Sequence, residues 1–268
     1  MPAEYLEKLF GLGGKRILLT GAAGGIGEAL AGGLARAGAE LLLCDIAEDR
    51  LEALAARIRA DGCSASGCYM DVANLDSVRG GVAKLTEGGR RVDVLINCAG
   101  INRREGFLDV DEATYERIMG INLKGLYFLS QEVAKRMRTA GGGNIINIAS
   151  HNSVGMLGGC SVYGASKSAV AALTRSMAVE WAQYGIRANA IAPGHILTKL
   201  TAATWEHPAR SEYLRERIAM RRPGSPDELV GVAVMLASDS SSYMSGMMIH
   251  VDGGCLAGGS PWPYDTNY

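Results

Sequence analysis

Tyr163 and Lys167 stand four residues apart, at the head of a pattern over 161–183 whose apolar spacing predicts a long helix. That spacing puts both side chains on one helix face, about a turn apart. A tyrosine hydroxyl with a pKa near 10 is a poor base at neutral pH. A neighbouring ammonium favours the phenolate and lowers that value. Ser150 directly follows an apolar run at 144–149, so a hydroxyl ends a predicted strand. Together a Ser, a Tyr and a Lys can hold an oxygen, move its proton and support the charge that develops on it. Taken alone, Tyr and Lys four apart on a helix are an ordinary surface pair, so the pattern needs elements that bring Ser150 to them.

Those elements are legible along the chain. Short β-type runs at 16–20, 40–44, 65–70, 92–97, 144–149, 187–192 and 247–251 alternate with helical patterns at 26–37, 48–60, 75–86, 111–119, 121–139, 161–183 and 227–238. Strands joined by helices of 10 to 20 residues imply right-handed βαβ units and a parallel sheet. The expectation is an α/β fold: one Rossmann-type, doubly wound sheet of about seven strands, helices on both faces, and a single domain over 1–268. Residues 198–222 read as a helical insertion beside the site, either a lid or a packed element. Residues 258–268 read as an irregular tail whose Trp262, Tyr264 and Tyr268 suggest docking onto a neighbouring subunit. Sheets of this kind bind ligands beyond the carboxyl ends of their strands.

The first such end is rich in glycine. Thr20-Gly21-Ala22-Ala23-Gly24-Gly25-Ile26-Gly27 joins the first strand to the first helix. Glycines there let the backbone approach a pyrophosphate while the helix aims free N–H groups and its positive end at the anion. A lone glycine cluster says little; this one has its strand, helix and next strand in place. Asp45 ends the second strand. Its carboxylate can accept hydrogen bonds from adenosine ribose hydroxyls and would repel a 2′-phosphate, which predicts NAD over NADP; alternatively it caps the helix at 48–60. Asp71 and Val72 follow the third strand, where a carboxylate can meet the adenine amino group or cap a turn.

Composition narrows the class. The 268 residues are 48% hydrophobic with a net charge of −1, so no basic face for nucleic acid is demanded. Six cysteines lack zinc-site spacing and read as free thiols in a reducing compartment. The start, MPAEYLEKLF, carries acids and no long apolar stretch. No apolar segment is long enough to span a bilayer. A cytoplasmic location, without a membrane partner, is expected. The histidines at 151, 195, 207 and 250 show no ligand spacing, so no metal is expected.

With TGAAGGIG (20–27), Asp45, Asp71-Val72, NCAG (97–100), Asn122 in INLKG, NIAS (147–150), YGASK (163–167) and PGHILT (193–198), the chain resembles the short-chain dehydrogenase/reductase family over nearly its whole length. The resemblance implies an NAD-dependent oxidoreductase acting on CH–OH groups. Tyr163 would be the acid/base, Ser150 would orient the reacting oxygen, and Lys167 would tune Tyr163 and bind ribose. Asn122 would hold a proton-relay water in a helix irregularity. Asn97, Ala99 and Gly100 would line the cofactor, as would Pro193, Gly194, Ile196 (through its backbone) and Thr198. Cys98 departs from the family's usual second Asn. The family usually forms dimers or tetramers, and a homotetramer is favoured here.

Within the family, INRRE (101–105), the residues around 176–184, IAPGHILTKLTAA and the Gly-Ser-Pro-Trp tail are similar to the gluconate 5-dehydrogenase and 2-deoxygluconate 3-dehydrogenase group. A sugar acid or related polyhydroxy compound, and a place in carbohydrate metabolism, follow from that likeness. Arg104, or else Arg103, would clamp an anionic end of the substrate; the alternative is a solvated arginine paired with Glu105. His151, Asn152 and His195 flank catalytic positions and would bond sugar hydroxyls. Two other readings stay open. One is a dehydrogenase of a neutral or sulfonated sugar, a polyol or a deoxy-keto-acid, or a reductase of another carbonyl. The other is a non-catalytic NAD-binding scaffold.

Overall fold

The computed structural model describes residues 3–259. Among them, strands β1 (Arg16–Thr20), β2 (Glu40–Asp45), β3 (Ser64–Tyr69), β4 (Val94–Asn97), β5 (Gly143–Ile148), β6 (Ile186–Pro193) and β7 (Met248–Val251) form one sheet. Its order is β3-β2-β1-β4-β5-β6-β7, and every neighbouring pair is parallel. The chain runs outward from β1 to β3, then jumps back to lay β4 against the other side of β1. The crevice for a ligand therefore opens at the carboxyl ends of β1 and β4.

Both faces of the sheet are covered. Ile17, Leu19, Leu41, Leu43, Val94 and Ile96 pack on one face, under α2 (Gly25–Arg36), α3 (Glu48–Ala60) and α10 (Val230–Ala237). Leu18, Leu42, Leu95 and Ile145 pack on the other, under α4 (Leu75–Leu85), α6 (Leu126–Thr139) and α7 (Ser161–Trp181). This alternation along each strand is the period of two that sends successive side chains to opposite faces. Burying each such Leu or Ile contributes roughly 1.5–3 kcal/mol, which holds the strand ends where the chemistry needs them.

Three elements differ from the sequence pattern. The helix expected over 227–238 begins as a tight 3-10 turn, Pro226–Leu229, before α10. Ser225 and Glu228 form a reciprocal capping box there and Pro226 sits at the first helical position, which together fix a narrow first turn. The two helices expected over 111–139 are α5 (Glu112–Met119) and α6, joined without a break by a π turn, Gly120–Gly125. The N-terminal α1 (Ala3–Phe10) was not foreseen; it is only eight residues long and leaves Tyr5, Leu6 and Phe10 exposed, so packing adds little to its local pattern.

Residues 198–222 hold α8 (Ala202–Glu206) and α9 (Pro208–Arg217). His207 separates them: its ring accepts the Arg210 N–H, and Pro208 opens the second helix. The tail expected at 258–268, with Trp262, Tyr264 and Tyr268, lies outside the described residues from 260 onward.

Candidate active site

The glycine loop after β1 closes tightly against the turn after β4. The Thr20 hydroxyl accepts the N–H groups of Cys98 and Ala99, each at 3.3 Å. Gly21 has φ +66°, and a Cβ there would stand 2.7 Å from Ala99. A Cβ on Gly27 would stand 2.1 Å from the Gly21 carbonyl oxygen, a distance no side chain tolerates. Gly24 caps α2 with no side chain to take its first N–H groups, so with Gly25 and Ile26 they are left for an anion.

Asp45 sits beside this cradle. One carboxylate oxygen accepts the Ala23 N–H at 3.0 Å and the other accepts the Ala47 N–H at 3.0 Å. Asp45 thus pins the loop and its own turn, and each oxygen keeps a second lone pair for a ribose hydroxyl. The cradle and the acid fit a dinucleotide. Asp71 and Val72 lie at the end of β3. One Asp71 oxygen is taken by the Ala73 N–H, and the Val72 carbonyl abuts Gly125 in the π turn.

The segment after β6 comes back over the cradle: a Cβ on Gly25 would lie 3.0 Å from Thr198. Pro193 and Gly194 end β6, with the Gly194 N–H donated to the Val251 carbonyl. The Ile196 carbonyl accepts the Thr201 hydroxyl at 2.7 Å, so Thr201 shapes this loop, a role with no signature in its spacing. A cleft of about 510 Å³, lined by Leu197, Thr198, Ala202 and Trp205 among others, continues from there under α8.

The reacting group lies between β5 and α7. Ser150, buried at the end of β5, is hydrogen-bonded to the Tyr163 hydroxyl and also accepts the Asn152 N–H at 3.1 Å. Burial pushes the Tyr163 phenol above the ordinary tyrosine range, and the Ser150 hydrogen bond works against that. This corrects the expectation that Lys167 depresses it. The Lys167 ammonium donates to the Ile148 carbonyl at 2.6 Å and lies 5.8 Å from the centre of the Tyr163 ring. Burial pulls Lys167 itself down to about 8, so it stays charged at neutral pH and gives up its proton more readily than a free lysine.

Two expected residues have their side chains committed elsewhere. The Asn97 amide donates to Ser130 (2.9 Å) and Asn147 (2.8 Å) in the interior, so only its main chain borders the cradle. Asn122, fully buried in the π turn, donates to the Ile101 carbonyl and Ser166 and accepts the Ile101 N–H. It ties the strand-end loop to α7, beside Gly100, which is in turn close to Lys167. Cys98, pushed up to about 12 by burial, is a neutral thiol.

At the outer end, Arg103 is engaged by Glu105 at 2.7 Å and Thr114 at 3.0 Å. Arg104 has no ion pair or hydrogen bond among the described residues, and its charge acts on His195. The His195 ring lies 4.5 Å from that of His151 and 6.4 Å from that of Trp205. Burial, with His151 and Arg104 nearby, holds His195 down to about 4; burial also lowers His151, whose Nδ1 is 3.2 Å from the Pro193 carbonyl. Buried Asn152 has an amide oxygen without a partner. Sequence reading missed Asp252 and Cys255, which follow β7 and complete this end; nothing in their spacing relates them to His151. All six cysteines are free.

A phosphate cradle, a ribose acid and a hydrogen-bonded Ser–Tyr pair, all at one switch point, belong to an oxidoreductase of the nicotinamide-dependent class. Known proteins agree. A family model described as enoyl-(acyl carrier protein) reductase matches residues 21–255, and the chain belongs to the short-chain dehydrogenase/reductase family. It is 38% identical to a gluconate 5-dehydrogenase of Gluconobacter oxydans, over 92% of this chain and 96% of that one. It is 39% identical to a 2-dehydro-3-deoxy-D-gluconate 5-dehydrogenase of Bacillus subtilis, over 94% and 99%. A crystal structure of a gluconate 5-dehydrogenase from Burkholderia cenocepacia, in complex with NADP and tartrate, superposes with a TM-score of 0.90 at 38% identity, covering 93% of this chain and 98% of that one. Among the described residues no helix is long and apolar enough to cross a membrane.

Proposed function

We propose that this enzyme interconverts a secondary alcohol and ketone of a sugar acid, with NAD as its cofactor. The observation that carries the reaction is the pairing of buried Ser150 with the half-buried Tyr163 hydroxyl at the mouth of the cradle. The bound nicotinamide supplies the hydride acceptor in oxidation and the donor in reduction. Ser150 and Tyr163 grip the substrate oxygen from two sides. In oxidation Tyr163 takes the hydroxyl proton as the carbinol hydrogen leaves with its electron pair; in reduction it returns that proton. Lys167 holds the cofactor ribose and passes protons onward, a role its lowered proton affinity suits near neutral pH. Asn122 positions the loop that carries Gly100, and the widened π turn around it is where a relay water meets the main chain.

Asp45 supports NAD, since a 2′-phosphate would meet its carboxylate at close range. The test is initial rates with both cofactors on a panel of sugar acids and parent sugars. A kcat/KM for NAD at least about 10-fold above that for NADP is expected; equal values would remove the cofactor assignment.

Arg104 supports the acid. With Arg103 already paired, Arg104→Ala should raise KM for a sugar acid about 10- to 100-fold and leave the neutral parent sugar nearly unchanged. Arg103→Ala should do little to either. An equal small effect of Arg104→Ala on both substrates would end the clamp. His151, His195 and Asn152 bond the remaining hydroxyls in this reading, and 198–222 closes over them. Hydrogen exchange across 198–213 should slow with saturating cofactor and substrate, and an unchanged rate would leave the segment a packed insertion. The reading also makes the protein a cytoplasmic homo-oligomer, a tetramer before a dimer, without nucleic acid or membrane as partner; a solution mass of one chain would contradict that.

A further inference from the structure

Three loops at the carboxyl edge bring together His151 after β5, His195 after β6 and Cys255 after β7. One ligand atom from each lies within 4.8 Å of the other two. The surroundings favour a cation. His151 Nδ1 faces the Pro193 carbonyl at 3.2 Å, which places the ring hydrogen on that nitrogen and leaves Nε2 basic. A carbonyl holding the far N–H is the usual orienting partner of a metal-bound imidazole. Asp252 acts on all three groups, and its own position is fixed by the N–H groups of Gly254 (2.9 Å) and Leu256 (3.0 Å). Burial and Asp252 push the Cys255 thiol up and Arg217 works against them, while Arg104 beside His195 and His250 beside His151 oppose a cation.

We propose that His151, His195 and Cys255 bind a divalent cation of the zinc type, with a fourth position left open. Two imidazoles and a thiolate suit Zn²⁺ or Co²⁺ and not a hard cation such as Mg²⁺. A tetrahedral site with bonds of about 2.1 Å has ligand edges of about 3.4 Å, so the three side chains close by rotation over a short distance. Binding releases the Cys255 proton to solvent. The cation is not part of the hydride transfer. It takes the two imidazoles that hold substrate hydroxyls, so it inhibits in competition with the sugar acid and not with NAD. That second half rests on the function proposed above; the binding half rests on geometry alone.

The experiment is a Co²⁺ titration of the chelator-stripped full-length chain, followed by Zn²⁺. The expected result is one Co²⁺ per chain, thiolate-to-cobalt charge-transfer absorption, d–d bands of tetrahedral intensity, and displacement by Zn²⁺. Cys255→Ser should lose the charge-transfer band and bind Zn²⁺ at least about 10-fold more weakly, with unchanged NAD binding as the check that it folds. In chelator its own apparent KM sets the baseline, and added Zn²⁺ should no longer raise it. Absence of bound Co²⁺, weak octahedral bands, or a charge-transfer band that survives Cys255→Ser would overturn the site. Binding that leaves KM unchanged would overturn the competition. Failure of every sugar acid to turn over would sink the proposed function, with the titration still decisive for the site.

Discussion

Tyr163→Phe should lower kcat by about 10³-fold, with NAD affinity changed less than about threefold and the fold intact. The substitution removes one oxygen and keeps the ring. The hydroxyl lost is the one hydrogen-bonded to Ser150, so the substrate oxygen loses both its proton acceptor and half of its grip. The cradle, Asp45 and Thr198 are untouched. The pH dependence has a definite sign. Burial raises the phenol above its ordinary range, so at neutral pH it is protonated. That form serves ketone reduction, while alcohol oxidation should speed up as pH rises toward the phenol's value. Ser150→Ala removes the interaction that pulls this value down, so the alkaline limb should move to higher pH as kcat falls. Direct titration against kcat would check both; a Tyr163→Phe chain that retains activity would place the proton transfer elsewhere.

Lys167→Met should lower kcat by about 10²-fold and, unusually for an active-site change, raise stability. Lys167 is 4% exposed, and burial lowers it from 10.5 to about 8. At about 1.4 kcal/mol per pKa unit, holding the ammonium charged inside costs on the order of 3 kcal/mol. Losing its charge-assisted bond to the Ile148 carbonyl takes back about 1.5–3 kcal/mol, for a net gain between about 0 and 2 kcal/mol. Below pH 8 both folded and unfolded chains are charged and the penalty is complete. Between about 8 and 10.5 the folded chain releases a proton that the unfolded chain keeps, so the parent becomes more stable with rising pH and the advantage of Met disappears. Denaturant unfolding at pH 7 and pH 10 would read this directly. A destabilised Lys167→Met at pH 7 would show that the ammonium earns its place through bonds stronger than its burial.

The strands and their parallel sheet were legible because each is a short apolar run closed by glycine or a polar turn, and alternation with helices leaves few topologies; the order in the sheet came from the structure. The cradle was legible for a related reason: Gly21 and Gly27 sit where any Cβ would strike the backbone, so sequence and geometry express one constraint. What sequence could not carry is burial and competition for partners. Nothing in YGASK tells whether desolvation outweighs a nearby ammonium, and here it does. Asn97 and Asn122 look like ligand-facing amides until Ser130, Asn147, Ile101 and Ser166 claim them. Arg103 and Arg104 are equivalent in the sequence; only the fold brings Glu105 and Thr114 to one of them. His151, His195 and Cys255 lie far apart along the chain, and only the parallel sheet makes them neighbours.

Transfer of deuterium from the carbinol carbon of a labelled sugar acid to the cofactor is the most direct test, read by mass spectrometry of the reduced nicotinamide. One deuteron per turnover, with a primary isotope effect on kcat/KM that grows as pH falls below the phenol's value, is the predicted result. Reduced cofactor without label, or no reduction by any sugar acid, would contradict it.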